Sequence, residues 1–322
     1  MAALSDSPPA RIVDLRELRP GDLDSLLLEE TQTWYETLDW DFRASAALVR
    51  RFHDMQALNG SALLINGYPV GYCYFVSEEH KGLIGDLYVM KDFVTAENEG
   101  VLLESVVKRL MATPFVKRIE SQLMMLRTGQ GIALPQRQYV RAHLRNFMEV
   151  DLAEAAQLPQ RKISQAVLID SWTERKQDDA GALIVSAYQG HIDSQINDQY
   201  RSPAGARRFL LNIIQYPGCG SFFQPASFVA LEAATGKLLG ISLSSLVHAD
   251  IGHITQVCVS HATRGTGVGY ELIRRSLESM AKHGCRKASL TVTAANTDAI
   301  LVYERMGFRK TRVFSAYVWE GF

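Results

Sequence analysis

The chain is short of charge imbalance, of cysteine and of long apolar runs, and each shortage removes a class of protein. No stretch approaches the roughly 18 apolar residues that span a bilayer, so no membrane-spanning helix is expected. The 34 Lys and Arg residues against 35 Asp and Glu leave a formal net charge of -1, which gives no reason to expect a nucleic acid or a membrane as partner. The four cysteines, Cys73, Cys219, Cys258 and Cys285, stand far apart and lack metal-ligand spacing, so buried free thiols are the default reading. Residues 1–10 are small and polar, with two prolines and no apolar segment behind them. No secretory signal is read there, and the cytoplasm is the simplest location.

What is present suits two globular domains. The 322 residues exceed the roughly 100–200 of a single domain. A hydrophobic content of 47% with 21% charged residues supplies two cores.

The two halves repeat one pattern. Ile12-Val13-Asp14-Leu15 followed by Arg19-Pro20-Gly21-Asp22 matches Val167-Leu168-Ile169-Asp170 followed by Arg175-Lys176-Gln177-Asp178, about 156 positions on. A hairpin comes next in each. Asn66-Gly67 is its turn in the first half and Thr235-Gly236-Lys237 in the second. The strands Ile84–Val89 and Ile254–Val259 are about 170 positions apart, so the second half carries an early insertion, expected near His191–Arg201. A helix, Val101–Met111 or Tyr270–His283, and a strand, Ile119–Leu126 or Lys287–Thr293, complete each copy. The expected domains are 1–155 and 162–322, with Leu158–Lys162 as the least structured part of the connection.

The strongest local signal is Arg264-Gly265-Thr266-Gly267-Val268-Gly269, which follows a strand and opens a helix. Glycines let backbone N–H groups approach an anion, the helix start adds unpaired donors, and Arg264 adds charge. This suits a diphosphate. A dinucleotide fold would place such a loop after its first strand, whereas here it lies late in the domain, after a hairpin.

A second motif follows: Asn296, Ala299, Tyr303, then Gly307-Phe308. Together the two resemble the GNAT acyltransferase superfamily, whose phosphate motif is matched by Arg264, Gly267 and Gly269. The detailed match covers about Ile254 to Phe308. The resemblance implies an α/β fold of the α+β type: two tandem GNAT-like domains, each a twisted, mixed, largely antiparallel sheet flanked by helices. In architecture it is similar to tandem members such as mycothiol synthase, with a degenerate first copy. Sliding the glycine loop back lands on Val94-Thr95-Ala96-Glu97-Asn98-Glu99, where carboxylates oppose a diphosphate, and near Leu144–Phe147 only the terminal aromatic of the tyrosine motif remains. The first half is therefore not expected to bind CoA.

The resemblance further implies acetyl-CoA as co-substrate and an amine, of a small molecule or a protein, as acceptor. Val257 and Val259 would pair with the pantetheine arm, and a backbone N–H near Cys258 or Val259 would polarise the thioester. Gly265, Thr266, Val268 and Asn296 would complete the cofactor site, and Tyr303 would be the general acid for the leaving sulfur. Cys258, mid-strand among apolar residues, reads as an inert thiol rather than a nucleophile. Glu232, Asp250 and His253 lie near strand ends, and none of them identifies itself as the base. For the acceptor, His191, Asp193, Asn197, Asp198 and Tyr200 are candidates, the carboxylates suiting a cationic amine. A CoA-binding module without turnover is the alternative.

Overall fold

The computed structural model describes residues 10–322 apart from 156 and 165. The residues ahead of Ala10, read above for a secretory signal, lie outside the described residues. Among the described residues no helix is long and apolar enough to cross a membrane.

In chain order the elements are β1 (Arg11–Asp14), α1 (Asp24–Leu38), α2 (Arg43–Asp54), β2 (Gly60–Ile65), β3 (Tyr68–Glu78), β4 (Lys81–Val89), α3 (Ala96–Ala112) and β5 (Arg118–Gln122). Then come β6 (Val140–Asp151), α4 (Leu152–Ala155), β7 (Val167–Ser171), α5 (Gln177–Tyr188), α6 (Asp193–Ile196) and α7 (Pro203–Gln215). The chain ends with β8 (Ser221–Phe222), β9 (Phe228–Glu232), β10 (Leu238–His248), β11 (Ile251–Val259), α8 (Val268–Lys282), β12 (Lys287–Thr293), α9 (Thr297–Arg305) and β13 (Arg309–Glu320).

Two compact units result. The first holds 10–38, Phe42–His143 and Phe314–Phe322; the second holds Asp39–Asp41 and Leu144–Val313. Apart from the short excursion at Asp39–Asp41, the chain changes unit at 143/144 and again at 313/314, and the segment 155–162 falls inside the second unit.

The first unit's sheet runs β1-β2-β3-β4-β5 and then the C-terminal part of β13, Ala316–Glu320 on Arg118–Gln122. Every neighbour pair is antiparallel except β4 with β5. Its hairpin turns at Asn66 and Gly67, with φ 54 and 80, the left-handed pair that a two-residue turn needs. Leu102, Leu103, Val106, Val107 and Leu110 of α3 bury one helical stripe against this sheet.

The second unit's sheet runs β6-β12-β11-β10-β9-β7, with β8 on β10. Here the parallel pair is β11 with β12. One face packs on α8 through Ile273, Leu277 and Met280. The other packs on α5 and α7, around Trp172, Ile184, Leu210, Ile241 and Cys258. Between α5 and α7 lies the insertion anticipated from the sequence, folded as α6 and a turn at Asp198–Arg201.

The internal repeat is visible in the register. β4 pairs with β5 from Lys81↔Arg118 to Ile84↔Ser121 and no further; β11 pairs with β12 from Ile251↔Lys287 to Ile254↔Leu290 and no further. On the opposite edge β4 carries an extra residue at Gly85 and β11 one at Thr255. Both units therefore bulge and splay at matching positions, and a bulge at such a place re-aims the strand. Leu144–Phe147, read from sequence as the remnant of the tyrosine motif, instead lie on β6, where Arg145–Phe147 pair with β12.

Candidate active site

The splay opens a cavity of about 630 Å³ within the second unit. Its floor is β11 from Ile254 to Val259, and its walls come from α5, the start of α8, β12 and α9. The Ser260 N–H bonds Leu239 O across to β10. Alternation along an antiparallel strand then turns the backbone groups of Cys258 toward β10, and those of Val257 and Val259 toward the open side. Of the two N–H groups considered for the thioester, geometry leaves that of Val259.

The glycine loop stands where β11 gives way to α8. Gly265 and Gly267 have φ 75 and 88, a region that favours glycine, and Gly267 is the residue capping α8. The first N–H groups of a helix lack intrahelical partners and, with the helix dipole, make an anion site. Arg264, Gly265, Gly267 and Gly269 line the cavity. Thr266 and Val268 do not; the Thr266 hydroxyl bonds Thr263 O, and Val268 is buried against Ala230 and Leu272. The Arg264 guanidinium donates to Ala187 O at 2.6 Å, which ties the loop to the end of α5.

Asn296 caps α9, its Oδ1 accepting from the Ala299 N–H at 3.3 Å, and its amide nitrogen lies 3.4 Å from His191 Nε2. Tyr303, one turn and a half along α9, is buried against Phe308 and lines the cavity. Burial, and next the negative charge of Asp193, push its phenol above the ordinary tyrosine range; Arg145 opposes this.

His191, Asp193 and Tyr200 line the cavity; Asn197 and Asp198 do not. The Asn197 side chain instead accepts from the Gln199 N–H, capping the turn that follows. Nor is Asp193 a free anion for a cationic amine. It pairs with Arg145 at 3.3 Å and accepts from the Thr293 hydroxyl, while Arg145 also donates to Thr293 Oγ1 at 2.9 Å and Thr291 Oγ1 at 3.3 Å. Tyr200 stacks on Tyr188 with ring centres 4.4 Å apart. Both hydroxyls meet Gln256, which donates to Tyr188 at 3.0 Å and accepts from Tyr200 at 3.3 Å.

Cys258 sits on the same strand with its thiol pushed up to about 12 by burial, an inert state. The base candidates lie elsewhere. His253 is buried on the core side, bonded to Ser289 and held down to about 4 by desolvation; Asp250 is paired with His248 and Arg286; Glu232 accepts from Thr235. Sequence reasoning missed Arg145, Arg161, Gln256 and Tyr270, all of which line the cavity. A signal for Arg145 existed in the alternation Arg141-Ala142-His143-Leu144-Arg145, which marks a strand.

The first unit differs at its corresponding helix, α3. Thr95 caps α3, and Glu99 is the fourth residue of that helix, as Glu271 is of α8. The Glu99 carboxylate accepts the N–H groups of Arg127 and Thr128, at 2.9 and 3.0 Å, and the Thr128 hydroxyl. Ile132 then packs over Gly100. In the first unit, then, a buried carboxylate near the start of α3 is satisfied by the loop at Arg127 and Thr128.

Comparison with known proteins agrees with this geometry. Residues 194–308 match the acetyltransferase (GNAT) family. A mycothiol acetyltransferase of Corynebacterium glutamicum is 44% identical over 59 residues, 18% of this chain and 20% of that one, so the aligned part spans a fifth of that relative's length. A GCN5-related N-acetyltransferase from Sphaerobacter thermophilus superposes with a TM-score of 0.65 at 18% identity, over 99% of this chain and 97% of its own. A tandem GNAT protein from the clavulanic acid biosynthesis pathway superposes at 0.59 and 15% identity, over 97% of this chain and 98% of its own. At such identities the likeness carries the fold. The chain has the fold of tandem GNAT proteins, and its residues 194–308 match the acetyltransferase (GNAT) family model.

Proposed function

We propose that the second unit is an acetyl-CoA-dependent N-acetyltransferase acting by direct transfer to an amine. The observation that carries this reading is the splay of β11 from β12 beyond Ile254, which leaves Val257 and Val259 without a strand partner on that side, in a cavity that also holds the glycine loop and Tyr303. An extended amide-bearing arm pairs with such an edge as an added strand does. The Gly265–Gly269 backbone and Arg264 hold the diphosphate, and Asn296 contacts the cofactor. Acetyl-CoA, when bound, supplies an activated acetyl group. The Val259 N–H polarises the carbonyl that is attacked, and Tyr303 gives its proton to the leaving sulfur. The acceptor is an amine of a small molecule or a protein, met by the polar wall of His191, Tyr188, Tyr200 and Gln256. The first unit, whose corresponding segment 94–99 has neither glycine nor arginine, does not bind CoA.

Calorimetric titration of the whole chain with acetyl-CoA tests this. One equivalent is expected, lost when Gly267 and Gly269 are both replaced by valine. Two equivalents would show that the first unit also binds; none would remove acetyl-CoA from the reading.

A further inference from the structure

The segment Leu158–Lys162, expected from the sequence to be the least structured part of a connection, is instead built into the cavity of the second unit. Leu158 packs on the core beneath α8, and Ile163 packs beside Val268 and Leu272. Between them the Tyr270 hydroxyl donates to Pro159 O at 3.0 Å. The Arg161 N–H bonds the carboxylate of Glu271, itself buried in the first turn of α8. These anchors lay the segment across the start of α8. They set the Arg161 guanidinium over the Tyr270 ring, 4.5 Å from its centre, where a cation–π contact orients it. Its side chain runs beside Gly267: a Cβ there would meet Arg161 Cδ at 3.8 Å. Arg161 lines the cavity, and no carboxylate pairs with its guanidinium among the described residues. Arg264, the arginine of the glycine motif, by contrast spends a terminal nitrogen on Ala187 O.

We propose that Arg161 is a diphosphate-binding residue, a cation brought to the glycine loop from outside the motif by the segment 158–163. This rests on the acetyl-CoA reading above. A guanidinium beside the first turn of α8 adds a formal charge to the partial charge of the helix start, and both act on the same anion. Tyr270 acts through it as a positioning residue.

The test compares CoA with 3′-dephospho-CoA, which shares the diphosphate but lacks the ribose phosphate. Binding of both is measured calorimetrically to the whole chain and to R161Q and R161K. Gln keeps much of the stem over Tyr270 and removes the charge; Lys keeps the charge. R161Q is expected to weaken both ligands by the same factor, roughly ten- to a hundredfold for a lost charge-assisted contact. R161K is expected to fall between R161Q and the parent chain. If R161Q binds CoA as the parent does, or R161K is no better than R161Q, the assignment is overturned. Weakening of CoA alone would also overturn it, moving Arg161 to the ribose phosphate. A parent chain that fails to bind CoA would sink the acetyl-CoA reading itself, and this inference with it.

Discussion

Tyr303 keeps its proton because of where it stands. An ordinary phenol ionises near pH 10, and burial with Asp193 close by pushes this one higher. Across neutral pH it is therefore a donor and not a base. Y303F should lower turnover, followed as free-thiol release over a panel of primary amines, by roughly 10²–10⁴-fold. Calorimetric affinity for acetyl-CoA should stay as it was. Equal rates in the two proteins would remove Tyr303 from the chemistry. This residue was legible in the sequence because its motif fixes it at one position of a helix, between Asn296 at the cap and Gly307-Phe308 at the stop. The pairing of Asp193 was not legible. It depends on Arg145, which reaches it from a strand 48 positions earlier in the chain, and on Thr293, 100 positions later, so no local pattern announces the pairing.

Elements tell a similar story. Hairpins and helices could be read because Asn66-Gly67 and the stripe Leu272, Ile273, Leu277 and Met280 are local signals. The bulges at Gly85 and Thr255 could not, since register is set by partners. What each bulge presents differs between the units. In the second, Gln256 meets two tyrosines at the cavity. In the first, the matching Asp86 is buried with Glu30 of α1, which accepts from Tyr72 at 2.8 Å and Trp34 at 3.3 Å. Burial raises both carboxyls, Glu30 further because Asp86 lies beside it, so the pair holds a proton where α1 meets the sheet. The sign follows from linkage. Carboxyls that ionise later in the folded chain than in the unfolded one favour folding below the ordinary carboxylate range, and the benefit is lost as pH rises through about 6, where Asp86 ionises, and beyond. E30Q, which keeps a donor toward Asp86 without a titrating proton, should therefore gain on the parent chain in urea midpoint between pH 5 and pH 8. A gap between the two midpoints that does not change with pH would contradict the shared proton.

The whole molecule is not two beads on a string in sequence. The first unit's sheet is completed by Ala316–Glu320, and Trp319 from that strand is fully buried, its indole N–H on Pro135 O at 2.8 Å. W319A should cost the first unit about 3–5 kcal/mol. Hydrogen exchange should then show β5 and α3 losing protection together; protection lost only around residue 135 would mean that the strand adds little to that core. Such an arrangement also sets the order of events at birth. A ribosome completes β5, then every strand of the second unit, before it makes Ala316. At roughly 5–20 residues per second the wait is on the order of 10–40 s. For that time the half-made sheet keeps an open edge of the kind that recruits stray strands. The domain translated first is the one finished last, and a nascent-chain chaperone would find its substrate there.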